Sequence, residues 1–365
     1  MKILMTLSNP FVHDQRVYLE AQALQASGHD VIVLGWDRSG SYAAEEQING
    51  IRVHRIHNNC LMRLAWRKPF QLFLFWQIAH RWALGQAFDA VHCHDLDTLL
   101  IGVKLKKQRS IKLVYDAHEI YTALIQRDLT RIFSGFYHRL EKQAASKVDH
   151  LILAEDTYET YFRELGYTQF TTVLNTKPLV SSAYHAPQNQ VFTLIYTGTL
   201  SRSRFLTELV EVVRSLESVK LVIAGMGSLY KALAAKCASV PQIDFLGTIP
   251  KEDVIKMTQR ADAAVCMIDP ADTNNRIASA NKQFEAMVAG RPIIATKGTR
   301  SGEITEIEQC GLIIDFTKEA LKQAIVTLRD NPALREKLGR NALRAALNKY
   351  NWAVDAKKLI KVYAE

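Results

Sequence analysis

The sequence predicts an α/β chain of two doubly wound domains facing each other, and three observations carry that prediction. Two series of short, β-branched apolar runs follow one another along 365 residues. The runs are continuously apolar rather than alternating, as parallel strands covered on both faces are. Stretches of helical periodicity separate them. At ~100–200 residues per domain the length suits two domains, each able to bury its own core.

In chain order, strands are predicted at 2–7 (KILMTL), 31–36 (VIVLGW), 90–93 (AVHC), 112–117 (KLVYDA) and 151–154 (LILA). The helix after the first strand shows the punctuation. Asp14 is placed to cap it, Val17, Ala21 and Leu24 share one face, and Gly28 stops it before the second strand. The second series runs 192–198, 220–225, 243–247, 263–268, 292–296 and 312–315. Between the two, LVSSAYHAPQNQ (179–190) is polar, contains Pro187 and lacks periodicity, which marks a join. Residues 331–365 are helical by pattern. No solenoid-length repeat or low-complexity tract occurs.

Composition narrows the class. Hydrophobic residues make up 48% and charged ones 23%, ordinary for a globular protein. The net charge of +9 is concentrated: residues 51–112 hold eleven Lys/Arg against three Asp, and the rest is nearly neutral. That confinement argues against a general nucleic-acid binder. Five scattered cysteines without a C-x-x-C pair support neither a disulfide framework nor a zinc ribbon, and fit a reducing cytoplasm. MKILMTLSNP turns polar too soon for a signal peptide, and no run of about 18 apolar residues predicts a membrane span.

Ligands of open α/β sheets bind outside the carboxyl ends of the strands, where helix N-termini point inward. Three strand ends of the second half suit that role. At YTGTLSRSRFL, Gly198 permits a tight turn, followed by Arg202 and Arg204 as phosphate partners. At IAGMGSL, Gly225 and Gly227 allow close backbone approach. SANKQFEAMVAGRPIIA sets Asn281, Lys282 and Glu285 around a helix start. The GMG turn with Asp244 downstream only loosely imitates a dinucleotide fingerprint, because Tyr230 replaces the third small residue and the motif follows the second strand.

In the first half, HCHDLD (92–97) and DAHEI (116–120) both fall at strand ends. His92, His94, Asp95, Asp97, His118 and Glu119 have metal-ligand chemistry, but no H-E-x-x-H spacing. The plainer reading puts His92 and His94 on one strand face, one packed and one hydrogen-bonded, and no metal is expected. Residues 60–84 hold six Trp/Phe, with Arg63, Arg67, Lys68 and Arg81, His80 nearby, and no acid. Pro69 separates two helical stretches. Such a segment suits an interfacial helix on anionic lipid, with Arg63, Trp66, Arg67 and Lys68 as contacts. Equally, Phe70, Phe73 and Trp76 suit the first domain's core with arginines on its rim.

Taken together these stretches resemble the GT-B glycosyltransferases, specifically the retaining family 4 (glycosyl transferases group 1). The resemblance covers essentially the whole chain, through DQRVYLEAQALQASGHDVIVL, FDAVHCHDLDTLL, KLVYDAHEI, IYTGTLSRSRFLTEL, LVIAGMGSL, IDFLGTIPKEDV, NKQFEAMVAGRPIIA and YNWAVDAKKL. Each is modestly specific, and eight in this order are strongly so. The resemblance implies two Rossmann-like domains, with the acceptor on residues 1–180, the nucleotide-sugar donor on 191–349, and a final helix, 350–365, returning to the first domain. Glu285 matches the second Glu of the family's E-x7-E motif, which binds the donor ribose. Arg204 stands where a lysine contacts the diphosphate, His118 matches the histidine beside the reacting sugar, and Thr248 and Ile249 border the base. Gly198, Gly225, Gly227, Asn281 and Lys282 complete the expected donor contacts. Asn9, Asp14, Arg16, His94 and Asp95 are the expected acceptor contacts.

There are departures from the family pattern: Ile277 replaces the first Glu, Thr199 replaces the usual Arg, and SNPFVHD replaces the glycine-rich loop after strand one. Asn281 and Lys282 are placed to take over. The resemblance further implies front-face attack without a protein nucleophile or resident cofactor. The expected activity is transfer from a UDP- or GDP-sugar to a lipid-linked or cell-surface glycan in polysaccharide biosynthesis, on the cytoplasmic face of the membrane. A degenerate protein that binds without transfer, and a sugar-nucleotide epimerase, are the alternatives.

Overall fold

The computed structural model describes residues 1–12, 14–57, 68–120 and 131–364. They form two compact units, Met1–Leu174 with Asp355–Glu365, and Asn175–Val354. The polar stretch 179–190 thus lies within the second unit.

Unit 1 contains strands β1 (Lys2–Thr6), β2 (Asp30–Asp37), β3 (Glu45–Ile48), β4 (Ile51–His57), β5 (Ala90–His94), β6 (Lys112–Ala117), β7 (His150–Leu153) and β8 (Phe170–Thr172). They make one sheet, ordered β3-β4-β2-β1-β5-β6-β7-β8, parallel except for the β3–β4 pair. Its helices are α1 (Gln15–Ala26), α2 (Lys68–Leu84), α3 (Leu96–Lys106), α4 (Arg131–Ala145) and α5 (Glu159–Glu164). Asp14 caps α1, its carboxylate accepting from the Val17 amide at 3.2 Å, while Val17, Ala21 and Leu24 are buried. Gly28 ends the turn at φ +90°, a conformation that favours glycine.

Unit 2 is a six-stranded parallel sheet, β11-β10-β9-β12-β13-β14. Its strands are β9 (Phe192–Thr197), β10 (Val219–Ala224), β11 (Ile243–Gly247), β12 (Ala263–Cys266), β13 (Ile293–Thr296) and β14 (Gly311–Ile314). Around them lie α6 (Leu206–Arg214), α7 (Tyr230–Cys237), α8 (Lys251–Arg260), α9 (Thr273–Ile277), α10 (Asn281–Val288), α11 (Arg300–Ile307), α12 (Lys318–Asp330) and α13 (Pro332–Asn348). Leu194, Leu209, Leu221, Val265, Ile294 and Ile325 are at the heart of its core. The final helix, α14 (Trp352–Ala364), places Leu359, Val362 and Tyr363 in the core of unit 1.

The chain is therefore α/β with two Rossmann-like parallel sheets, as the apolar runs predict. Two regions of unit 1 differ from that reading. In the β3–β4 hairpin β3 is mostly polar and β4 begins by alternating apolar with polar residues, so the pair escapes a search for continuous runs; its signal is Asn49–Gly50, both with positive φ. Short β8, the three residues FTT, likewise offers no continuous apolar run. In α2, Pro69 sits in the first turn, where its missing N–H costs nothing. Phe75 rather than Phe73 is core: Phe75 stacks on Trp36 with centroids 4.8 Å apart, whereas Phe73 is 51% exposed. Arg63, Trp66 and Arg67 lie outside the described residues, as does the side chain of Lys68. No described helix is long and apolar enough to cross a membrane. The cysteines at 93, 237, 266 and 310 are buried free thiols.

Candidate functional site

Each sheet has a switch point, where strand order reverses around its first strand. In unit 1 it lies between β1 and β5, and in unit 2 between β9 and β12. Connections leave a crevice there at the carboxyl ends of the strands. In unit 2 the β9–β12 pairing extends only through Leu194–Ala263 and Ile195–Ala264.

At the unit 1 switch point, α1, β5 and β6 converge on a charged cluster. Arg16 donates from Nη2 to Asp116 Oδ1 at 2.8 Å, from Nε to Asp116 Oδ2 at 3.2 Å, and from Nη1 to the Val173 carbonyl at 2.8 Å. One helical turn on, Glu20 Oε1 lies 3.0 Å from Arg16 Nε. Asp116 Oδ2 also meets His118 Nε2 at 3.0 Å and His94 Nδ1 at 3.2 Å. On the other side of the His118 ring, Nδ1 is 3.4 Å from Asp95 Oδ2. His92 Nδ1 is held at 2.8 Å by the hydroxyl of Tyr363 on α14.

The electrostatics divide these groups. Burial alone would raise Asp116, but Arg16 and then His118 hold it well below the usual carboxylate range. Glu20, penalised by burial and then by Asp116 against the help of Arg16, is pushed well above that range. His94, lowered to about 3 by burial and by neighbouring His92, is neutral near pH 7. For His118 burial opposes the charge, yet Asp95 and then Asp116 outweigh it and raise the imidazole to about 10. Burial lifts Asp95 to about 6 against the pull of His118. Glu20, His92, His94 and Asp116 bring one ligand atom each within 4.8 Å of one another, a spacing a metal ion could use. Arg16 already lies on both carboxylates and gives them their countercharge, so the four form part of an ion network.

Among the expected acceptor residues, Arg16 and His94 are 5% and 2% exposed, so they face the interior of this network. Asn9 and Asp14 hold the loop after β1: Asn9 Nδ2 donates to Asp14 Oδ2 at 2.9 Å, and the Phe11 amide donates to Asn9 Oδ1 at 2.8 Å. Only Asp95 and His118 are part-exposed within the charged cluster. Asp116 and Glu20 were missed as site residues in the sequence, although both carried a signal: the i+2 spacing of Asp116 and His118, and the i+4 spacing of Arg16 and Glu20.

At the unit 2 switch point, two glycine turns lie back to back. The Gly198 amide donates to the Ala224 carbonyl at 3.0 Å, Leu200 to Met226 at 2.9 Å, and Gly225 to Gly247 at 2.7 Å. Gly198, Gly225 and Gly227 have φ of +128°, +146° and +158°. A Cβ on Gly225 would fall 1.8 Å from the Gly198 carbonyl oxygen, and one on Gly227 2.3 Å from that of Leu200. Lys282, in the first turn of α10, brings Nζ to 4.7 Å above the Tyr196 ring and to 3.5 Å from where a Gly198 Cβ would sit. Glu285, one turn on, accepts from Thr197 Oγ1 at 3.2 Å. Arg204, in the turn before α6, has a buried Nε with no hydrogen-bond partner. Asn281 Oδ1 is 3.4 Å from Lys177 Nζ. Thr248 and Ile249 follow β11, exposed and half-buried. Ile277 ends α9, where the E-x7-E pattern would have a carboxylate.

Comparison with known proteins places this geometry in a family. The family described as Glycosyl transferase 4-like domain matches residues 14–175, and Glycosyl transferases group 1 matches residues 182–345. An uncharacterized glycosyltransferase of Methanocaldococcus jannaschii, MJ1607, is 23% identical over 94% of this chain and 91% of its own. Sucrose-phosphate synthase from Thermosynechococcus elongatus superposes with a TM-score of 0.79 at 17% identity, over 100% of this chain and 98% of the other. HepE of Anabaena, solved with UDP and glucose, does so with a TM-score of 0.75 at 15% identity, over 100% and 99%. With both halves matched by glycosyltransferase families and the whole chain by proteins of this fold, the chain belongs to the group 1 glycosyltransferases of GT-B type.

Proposed function

We propose that the protein is a retaining glycosyltransferase. It moves a sugar from a UDP- or GDP-sugar to a lipid-linked or cell-surface glycan at the cytoplasmic face of the membrane. The observation that carries the donor is the glycine turn pair of unit 2, flanked by Arg204 and Lys282. Departure of the nucleoside diphosphate builds negative charge on its phosphates, which these two cations and the start of α10 meet. They supply electrophilic help without a resident metal, so turnover is expected to survive EDTA. Glu285 takes the ribose hydroxyls, while Thr248 and Ile249 border the base. Complexes of HepE with UDP and with UDP-glucose support a uridine nucleotide. His118 stands beside the reacting sugar. Asp95 is the part-exposed acceptor contact, and Arg16 and His94 act from behind it. The lipid-linked acceptor rests on the basic aromatic composition of residues 60–84, and sedimentation with anionic vesicles at low salt tests it.

Calorimetric titration with UDP and with GDP tests the donor site. One nucleotide is expected to bind, at least tenfold more weakly in Glu285→Ala. His118→Ala is expected to lower turnover with nucleotide affinity unchanged. Full turnover in both variants would count against these assignments. Ile277 and Thr199 favour a second reading, in which the donor binds without transfer. Nucleotide binding with no sugar consumed across a panel of donors and acceptors would favour it. Donor conversion with no acceptor present would indicate an epimerase.

A further inference from the structure

Asp95 departs from ordinary backbone geometry. It has φ +62° and ψ +165°, a region left almost entirely to glycine. It is also the residue before α3, where an aspartate ordinarily turns its carboxylate onto the first free amides of the helix. Here the side chain makes no such capping bond. Instead Oδ1 accepts from the His118 amide at 3.1 Å, and Oδ2 lies 3.4 Å from His118 Nδ1. The strained backbone is fastened by the Asp95 amide, which donates to the Asp116 carbonyl at 2.8 Å. Two local costs, strain and a forgone cap, thus accompany one result: a second carboxylate on the His118 ring.

That ring lies between two anions. Nε2 faces buried Asp116, and Nδ1 faces Asp95, whose side chain is 34% exposed. We propose that Asp95 is a positioning residue that clamps His118 against Asp116, so that His118 meets substrate as a cation held in one orientation. The inference rests on the assignment of His118 to the reacting sugar. It goes further by giving the ring a charge and a fixed orientation between two carboxylates.

The other charged groups around the ring belong to three elements. From α1, Asp14 and Glu20 favour the imidazolium when ionised, and Arg16 opposes it. From β5, His92 and His94 would oppose it but are lowered by burial. Asp97, in the first turn of α3, favours it. Asp95 precedes Asp116 among the influences that raise His118 to about 10.

The test is Asp95→Asn in the full chain, which keeps an oxygen for the His118 amide and removes the charge. The His118 titration is read by NMR of ring-labelled histidine, alongside sugar release from UDP-glucose and UDP binding. The expected result is a His118 pKa lower by about one unit, a tenfold change in its proton equilibrium. After that shift the imidazole still carries its proton near pH 7, so the slowing of sugar release expected, about tenfold with UDP affinity unchanged, reads the lost orientation of the ring. An unshifted titration overturns the proposal, whatever the rate does. A shifted titration with an unchanged rate upholds the clamp and removes His118 from the reaction, so the two failures are distinguishable. If the Asn variant does not fold, Asp95→Gly, which relieves the backbone, serves in the same titration.

Discussion

Arg16→Met is expected to cost unit 1 about 3–5 kcal/mol, the scale for removing one partner of a buried ion pair. Arg16 is 5% exposed and joins three parts of the chain: Glu20 on its own helix, Asp116 on β6 and the Val173 carbonyl after β8. Methionine fills similar space but leaves buried Glu20 without its cation and Asp116 with His118 alone. Hydrogen exchange across 90–117, compared with 192–224, should show faster opening in unit 1 alone, which matters because two units need not unfold as one transition. The pH dependence fixes the cause. In the wild type Asp116 is held well below its unfolded range, so its contribution is present above about pH 4 and is lost only as pH falls through the folded value. Without Arg16 Asp116 loses the larger of the two charges that hold it down. The deficit should therefore be largest at neutral pH and shrink as pH falls below about 4. Equal deficits at both ends would sink the charge explanation.

Gly225→Ala is expected to abolish tight nucleotide binding, by 100-fold or more, about 2.7 kcal/mol. The new Cβ would lie 1.8 Å from the Gly198 carbonyl oxygen, and the backbone sits at φ +146°, so neither the neighbour nor the residue accommodates it. The turns after β9 and β10 would have to separate by more than an ångström, carrying Leu200 and the approach to Arg204 with them. Gly28→Ala is the control. It meets nothing within 4 Å at φ +90°, so it should carry only the conformational penalty, about 1 kcal/mol, and leave UDP titration unchanged. Equal UDP affinity in Gly225→Ala and wild type would falsify the donor site assigned to these turns.

Much of this was legible along the chain. The apolar runs predict β1, β2, β5, β6 and β7, and all six strands of unit 2, within a residue or two, because a parallel strand buried on both faces must be apolar throughout. The β3–β4 hairpin is not legible this way, since edge strand β3 is mostly polar and β4 begins by alternating. Glycine positions were legible for a similar reason: Gly198, Gly225 and Gly227 are singled out by following strands, and their positive φ leaves few other residues able to replace them. Asp116 is less legible, although it opens the DAHEI stretch. Its importance depends on Arg16, a hundred residues away in sequence and 2.8 Å away in space.

The sequence by itself determined the class of fold, the two series of strands, the helix caps and the family. Each follows from local periodicity, turn chemistry or the order of short motifs, which are properties of neighbouring residues. Tertiary structure alone decided which polar groups share a charge. The sequence presents Arg16, Glu20, His92, His94, Asp95, Asp116 and His118 as three separate motifs, equally compatible with ligands, rim residues or core. Strand order β2-β1-β5-β6 brings their elements together, and burial and neighbouring charges then separate them: Arg16 and Asp116 ionised, His94 neutral, His118 a cation. A protonation state is set by the desolvation and charges within a few ångströms. Those distances exist only once β1, β5 and β6 lie side by side.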